Sequence, residues 1–172
     1  LKKRRKWILL GSVLIVLLVV GLIQFYAYIM KSQWGEQQIA EDIARTQAGL
    51  TEISKAQKSV WGEEAIYWVL TGNNAAGQEL MVWVRFLPGG TAAEGENAVY
   101  GEEISKGTSE EQVRAIIKSQ LPGIKVERLL PGVFNGEYVW QLFYQQEGIY
   151  HYKFFRFADG TEIGEGYNLP QQ

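Results

Sequence analysis

The stretch "EYVWQLFYQQEGIYHYKFFRFADG", residues 137–160, limits the possible folds more than any other part of the chain. It reads as a pair of β-strands, with aromatic side chains at both odd and even positions. Successive side chains of a strand point to opposite faces. On the first strand Tyr138, Trp140, Leu142 and Tyr144 therefore share one face, opposite Val139, Gln141, Phe143 and Gln145. On the second, Tyr150, Tyr152 and Phe154 lie opposite His151, Phe155 and Phe157. A sheet with two apolar faces needs two covers. A helix beginning near Thr108 supplies one, and a sister unit or a docked partner supplies the other. Tyr138, Trp140, Tyr144, Tyr150 and Tyr152 are thus the candidate partner surface, or the lining of a cleft between units.

The rest of the outer chain supplies material for such a sister unit. In "EQQIAEDIARTQAGLTEISKAQKSV" the residues Ile39, Ile43, Leu50, Ile53 and Val60 recur at helical spacing, which predicts one amphipathic helix. "EAIYWVLTG" and "QELMVWVRFLPGG", joined by "NNAAG", predict a hairpin, and "NAVYGEEIS" a weaker third strand. The order then restarts. "GTSEEQVRAIIKSQLPG" carries Thr108 and Glu111 at capping-box spacing, an apolar side of Val113, Ile116, Ile117 and Leu121, and a stop at Pro122-Gly123. Three strands follow, "IKVERLLPGVF", "EYVWQLFYQQ" and "IYHYKFFRFA", with turn dipeptides at Asn135-Gly136 and Asp159-Gly160, and "TEIGEGYNL" predicts a short last strand. The expected fold class is α+β: two small tandem units, residues 36–105 and 106–172, each one helix on an antiparallel sheet of three to four strands. Units of this size bury only about 60% of their unfolded surface, so docking would stabilise both.

Ahead of these units lies "WILLGSVLIVLLVVGLIQFYAYIM", residues 7–30, interrupted only by Ser12 and Gln24. As a helix it is about 36 Å long, enough to cross a hydrocarbon core of about 30 Å. A single transmembrane helix is expected there, with residues 1–6 as a basic tail and 31–35 as a juxtamembrane linker. Lys2, Lys3, Arg4, Arg5 and Lys6 predict a cytoplasmic N-terminus and extracytoplasmic units. Trp7, Tyr26 and Tyr28 fall near the two expected interfaces, where amphipathic rings anchor a span. Without the tail, 12 basic residues stand against 19 acidic ones, which disfavours nucleic acid as a partner.

The residue inventory points away from catalysis. There is no cysteine, and the one histidine, His151, sits mid-strand between Tyr150 and Tyr152. A nucleophile-and-base arrangement would hang on that residue alone. Only Asp42 and Asp159 are aspartates, without calcium-loop spacing. Paired glutamates in "GEEA", "GEEI" and "SEEQ" diverge on a helix or strand and fit solvated charge. No catalytic residue, metal site or cofactor is expected. The remaining classes are a binding protein, or a small-ligand or glycan sensor, for instance of wall fragments, using aromatics such as Trp140 and Tyr144.

The basic tail, single span, a first unit with "GLTEI", "WGEEAIYWVLTG" and "GQELMVWV", and a second from "SKGTSEEQVRAI" to "FRFADGTEI" together resemble the YpmB-like cell wall elongation regulator TseB family of Gram-positive bacteria. The resemblance spans about residues 2–168 and rests on patterns of apolar residues and glycines. It implies two units related to PepSY and cystatin-like folds. It also implies a non-catalytic role in wall elongation through contact with a membrane-bound class B penicillin-binding transpeptidase or another wall-synthesis protein. It assigns no site residue. The PepSY-like second unit also leaves open the alternative of an inhibitor or modulator of an extracytoplasmic peptidase.

Overall fold

The structure, a computed structural model, describes the backbone of residues 2–169 and the side chains of 13–26 and 34–169. The chain divides into two compact units, Leu1–Glu36 and Gln37–Gln172. The first is helical, part of α1 (Lys2–Ala48). Its described apolar side chains, among them Val13, Leu17, Ile23 and Phe25, are exposed. Among the described residues no helix is long and apolar enough to cross a membrane. The expected span over 7–30 extends beyond them, since side chains 7–12 and 27–30 lie outside the described residues. Residues 31–35 are helical.

The second unit contains two four-stranded antiparallel sheets in sequential order. The first comprises β1 (Leu50–Val60), β2 (Ile66–Asn74), β3 (Glu79–Phe86) and β4 (Val99–Glu103). A 3-10 turn, Ile104–Lys106, leads to α2 (Glu110–Gln120). The second sheet comprises β5 (Lys125–Phe134), β6 (Glu137–Gln146), β7 (Ile149–Arg156) and β8 (Glu162–Asn168). The α+β class and the repeated helix-then-sheet order agree with the sequence.

One expected helix is shorter than its pattern. α1 stops at Ala48, because Gly49 adopts φ 74°, the left-handed conformation that ends helices. Leu50 to Val60 then form β1, so the stripe from Ile39 to Val60 is divided between two elements. Ile39 and Val60 are exposed, at 44% and 55%. β1 is an edge strand rich in lysine, with register shifts between Leu50 and Glu52 and between Ile53 and Lys55. Charge and bulges on an edge strand prevent unwanted pairing, and here they also mask the strand pattern.

The cap of α2 is likewise displaced by one residue. Ser109, not Thr108, is the N-cap: its hydroxyl accepts from the Gln112 amide at 3.2 Å, and the Gln112 side chain accepts from the Ser109 amide at 2.8 Å. Glu110 and Glu111 in the first turn and Lys118 in the last suit the helix dipole. Thr108 is buried, its amide bound to the Phe157 carbonyl.

Three apolar clusters make the core. On one face of the first sheet Leu50, Trp68, Leu70, Val82, Val84 and Phe86 pack against Ala40 and Ala44 of α1. The opposite face contributes Val69, Met81 and Trp83 to a cluster shared with Val113 and Ile117 of α2 and with Leu129, Trp140, Leu142 and Phe155 of the second sheet. A third cluster joins Phe134, Val139 and Phe154, with Trp61 packed on it. Each large apolar side chain so buried contributes about 1.5–3 kcal/mol.

Candidate functional site

The register of β6 with β7 decides which aromatics meet. Trp140 lies opposite Phe155 and Tyr144 opposite His151, whereas Phe143 lies opposite Tyr152 and Gln145 opposite Tyr150. Because paired residues share a face, the five candidate residues are divided between the two sides of the sheet. Tyr138, Trp140 and Tyr144 occupy the side toward α2, and Tyr150 and Tyr152 occupy the other, beside Phe143.

On the α2 side, Trp140 and Tyr144 are each 3% exposed and belong to the core, which does not present them to a partner. The Trp140 indole donates to the Thr108 carbonyl at 2.8 Å, fixing the entry to α2 on the sheet. Tyr144 stacks on His151, whose Nδ1 lies 2.7 Å from the Asn168 side-chain oxygen. Tyr138 stacks on Tyr100 at 4.1 Å between centroids and touches Trp83 at 4.8 Å. Burial, with the neighbouring Tyr67 and Tyr100, pushes the Tyr138 hydroxyl up to about 12. It therefore stays neutral at physiological pH.

The second face has two ends with different covers. At one end the first half of the unit supplies the cover. Trp61, just beyond β1, inserts edge-on among Phe134, Tyr152, Phe154 and Tyr167, with centroid separations of 5.0–5.8 Å. Beside it Gln141 donates to the Ser59 hydroxyl at 2.9 Å, both residues buried. Gly132 allows this approach, since a Cβ there would collide with both side chains. Trp83 donates to the Gly132 carbonyl, and Lys55 pairs with Glu110 at 3.0 Å.

At the other end the face is open to solvent. Phe143 stacks on Tyr152 at 4.7 Å and on Tyr150 at 5.3 Å, and the Arg128 guanidinium lies 5.8 Å from the Phe143 ring centroid. Arg128 also approaches the Tyr152 hydroxyl at 3.4 Å. Tyr150 is 40% exposed, and Phe143 and Tyr152 are half-buried. This ladder can bury apolar groups against three rings while offering one cation, a combination common at protein interfaces. Phe143 and Arg128 join Tyr150 and Tyr152 through cross-strand pairing. Alternation alone cannot reveal that grouping, because it requires the register.

Of the expected anchor residues, Tyr26 is helical and exposed, while the side chains of Lys2, Lys3, Arg4, Arg5, Lys6, Trp7 and Tyr28 lie outside the described residues. Among the described residues no group of three or more His, Cys, Asp or Glu side chains is placed to hold a metal ion.

Residues 40–85 match the family described as Cell wall elongation regulator TseB-like domain. The matched segment runs from the end of α1 through β3, so it includes Trp61, Trp83 and Ser59. Among solved structures the YpmB protein from Bacillus subtilis is similar, with a TM-score of 0.60 and 23% identity, covering 78% of this chain and 96% of that one. At that identity the likeness is one of fold. No curated protein matches. The resemblance seen in the sequence is thus supported over residues 40–85, which match a cell wall elongation regulator TseB-like domain, and the chain shares the fold of the YpmB protein.

Proposed function

We propose that this chain is a non-catalytic, membrane-anchored extracytoplasmic regulator of cell wall elongation that acts by binding a class B penicillin-binding transpeptidase. The observation that carries the reading is the TseB-like match over residues 40–85, joined to an open aromatic ladder on the second sheet. The apolar run of residues 7–30 supplies the anchor, with the basic tail in the cytoplasm. The units then have PepSY and cystatin-like kinship and act outside the membrane, near its surface. Confinement to the membrane raises effective concentration, so a small interface suffices.

The interface is assigned to Phe143, Tyr150 and Tyr152, with Arg128 as its charged member. Trp140 and Tyr144 hold the sheet on α2 and act only through its stability. The test is photo-cross-linking in cells from positions 143 and 150, with position 144 as the buried control and captured proteins identified by mass spectrometry. Capture of a penicillin-binding protein from 143 and 150 but not 144 supports the reading. Its absence from both, with normal cell width after deletion of the protein, overturns it.

A further inference from the structure

We propose that Arg128, on the aromatic ladder, receives a carboxylate from the partner, so that the docking segment is a stretch of polypeptide in which an acidic residue lies beside an apolar one. This rests on the regulator reading above and names the chemistry of its interface.

A bulge puts the arginine on that face. Val126 lies opposite Tyr144, on the side of the sheet toward α2. Continuing the same register would set Glu127 opposite Phe143, but the register shifts between Val126 and Arg128, and Arg128 takes that place instead. Bulges recur beside functional sites, where the extra residue re-aims a side chain. Here the shift exchanges an acid for a base on the ladder and leaves Leu129 opposite Leu142 in the core. The displaced Glu127 pairs with Lys125 at 2.6 Å.

The Arg128 guanidinium is both held and open to solvent. It lies 5.8 Å from the Phe143 ring centroid, and one terminal nitrogen donates to the Tyr152 hydroxyl at 3.4 Å. The residue is exposed and forms no ion pair among the described residues. One hydrogen bond leaves most of its five N–H donors for another group. Outside the basic tail the chain has 19 acidic residues against 12 basic ones, yet none of those acids pairs with Arg128 among the described residues. A carboxylate is the group whose two oxygens match this planar fork.

The rings specify what accompanies that carboxylate. Phe143 stacks on Tyr150 and Tyr152 with interplanar angles of 15° and 28°. Rings stacked in this way turn their faces to one another, so the ladder offers ring edges and tyrosine hydroxyls rather than one flat platform. That favours an apolar side chain of a polypeptide over the face of a sugar, and ring edges carry the positive side of the aromatic quadrupole.

The experiment is photo-cross-linking in cells from position 150 of the full chain, which keeps Phe143 and Arg128 in place. The readout is the yield of captured penicillin-binding protein. Arg128→Gln should lower it about tenfold, the loss expected when a charge-assisted hydrogen bond is removed. Arg128→Lys should lower it less, and Lys118→Gln, which removes an exposed charge from α2 on the opposite side, should leave it unchanged. Undiminished capture with Arg128→Gln, or an equal fall with Lys118→Gln, overturns the proposal and leaves the regulator reading standing. A cross-linked partner segment without an acidic residue does the same. Arg128→Glu should abolish capture, and replacing the acidic residue of that segment by lysine should restore it, which a misfolded variant could not do. No capture from position 150 of the unaltered chain overturns both this proposal and the interface assigned to the regulator.

Discussion

Trp83 donates its indole N–H to the carbonyl oxygen of Gly132 across 3.2 Å, joining a strand of the first sheet to a strand of the second. Its ring is fully buried and touches Tyr100, Tyr138 and Phe157. Replacing it with phenylalanine removes the hydrogen bond, leaves the carbonyl unpaired and opens a void. Trp83→Phe should lower unfolding free energy by about 2–4 kcal/mol. Urea unfolding of the full chain measures this, and a loss below about 1 kcal/mol would mean the sheets are held elsewhere.

Gly132 is a point of close approach in the same seam. A methyl group there meets the amide nitrogen of Gln141 and the hydroxyl of Ser59, both buried. Gly132→Ala should therefore cost about 1–3 kcal/mol through forced displacement. Thermal unfolding should show one cooperative transition at a lower midpoint.

Trp61 is half-buried, and its ring contacts are to the second sheet. Trp61→Ala should cost about 2–4 kcal/mol, below the loss for a fully buried tryptophan. It should also uncover Phe134 and Phe154, read as increased binding of an apolar dye to folded protein.

Acid should weaken the seam. Burial alone would raise the Glu110 carboxyl, but hydrogen bonds from Lys55 and Arg114 outweigh it and hold the group below its ordinary value. A hydrogen bond from Arg156 lowers Glu137, and hydrogen bonds from Thr161 lower Asp159. Groups depressed in the folded state contribute stability that is complete above the unfolded carboxylate range. It is lost as pH falls through the lowered folded values. Urea midpoints should hardly respond to these groups from neutrality to about pH 5, then fall below about pH 4. Glu110→Gln should reduce that acid slope.

The two faces of the second sheet should respond differently to truncation. Tyr150→Ala, at an exposed position, should cost under about 1 kcal/mol. It should nevertheless weaken capture, from position 143, of the proposed penicillin-binding partner. Trp140→Ala should cost about 3–5 kcal/mol, since it empties the core and orphans the Thr108 carbonyl.

Seven of the eight strands were legible because β-branched and aromatic residues alternate between strong turn signals such as Asn135-Gly136. β1 was not, because "LTEISKAQKSV" lacks that density and its few apolar residues continue the spacing of the preceding helix. Only the left-handed turn at Gly49 and pairing with β2 distinguish the outcomes. The cap of α2 was ambiguous for a related reason: Thr108 and Ser109 both precede an acceptor three residues on, and backbone placement chooses Ser109. The need for a second cover over the aromatic sheet was legible from side-chain parity. That Trp61 supplies part of that cover was not, since "WGEEA" carries no periodicity to mark a tryptophan that reaches another sheet.

The insertion of Trp61 has a consequence for the order in which the chain is made. Ribosomes deliver the amino-terminal half first, so Trp61, Ser59 and Trp83 have emerged before the strands they will cover. When Phe134 and Phe154 follow, their covering group is already attached and waiting. The most adhesive surface of the newborn chain thus meets its own earlier half before it meets a stranger.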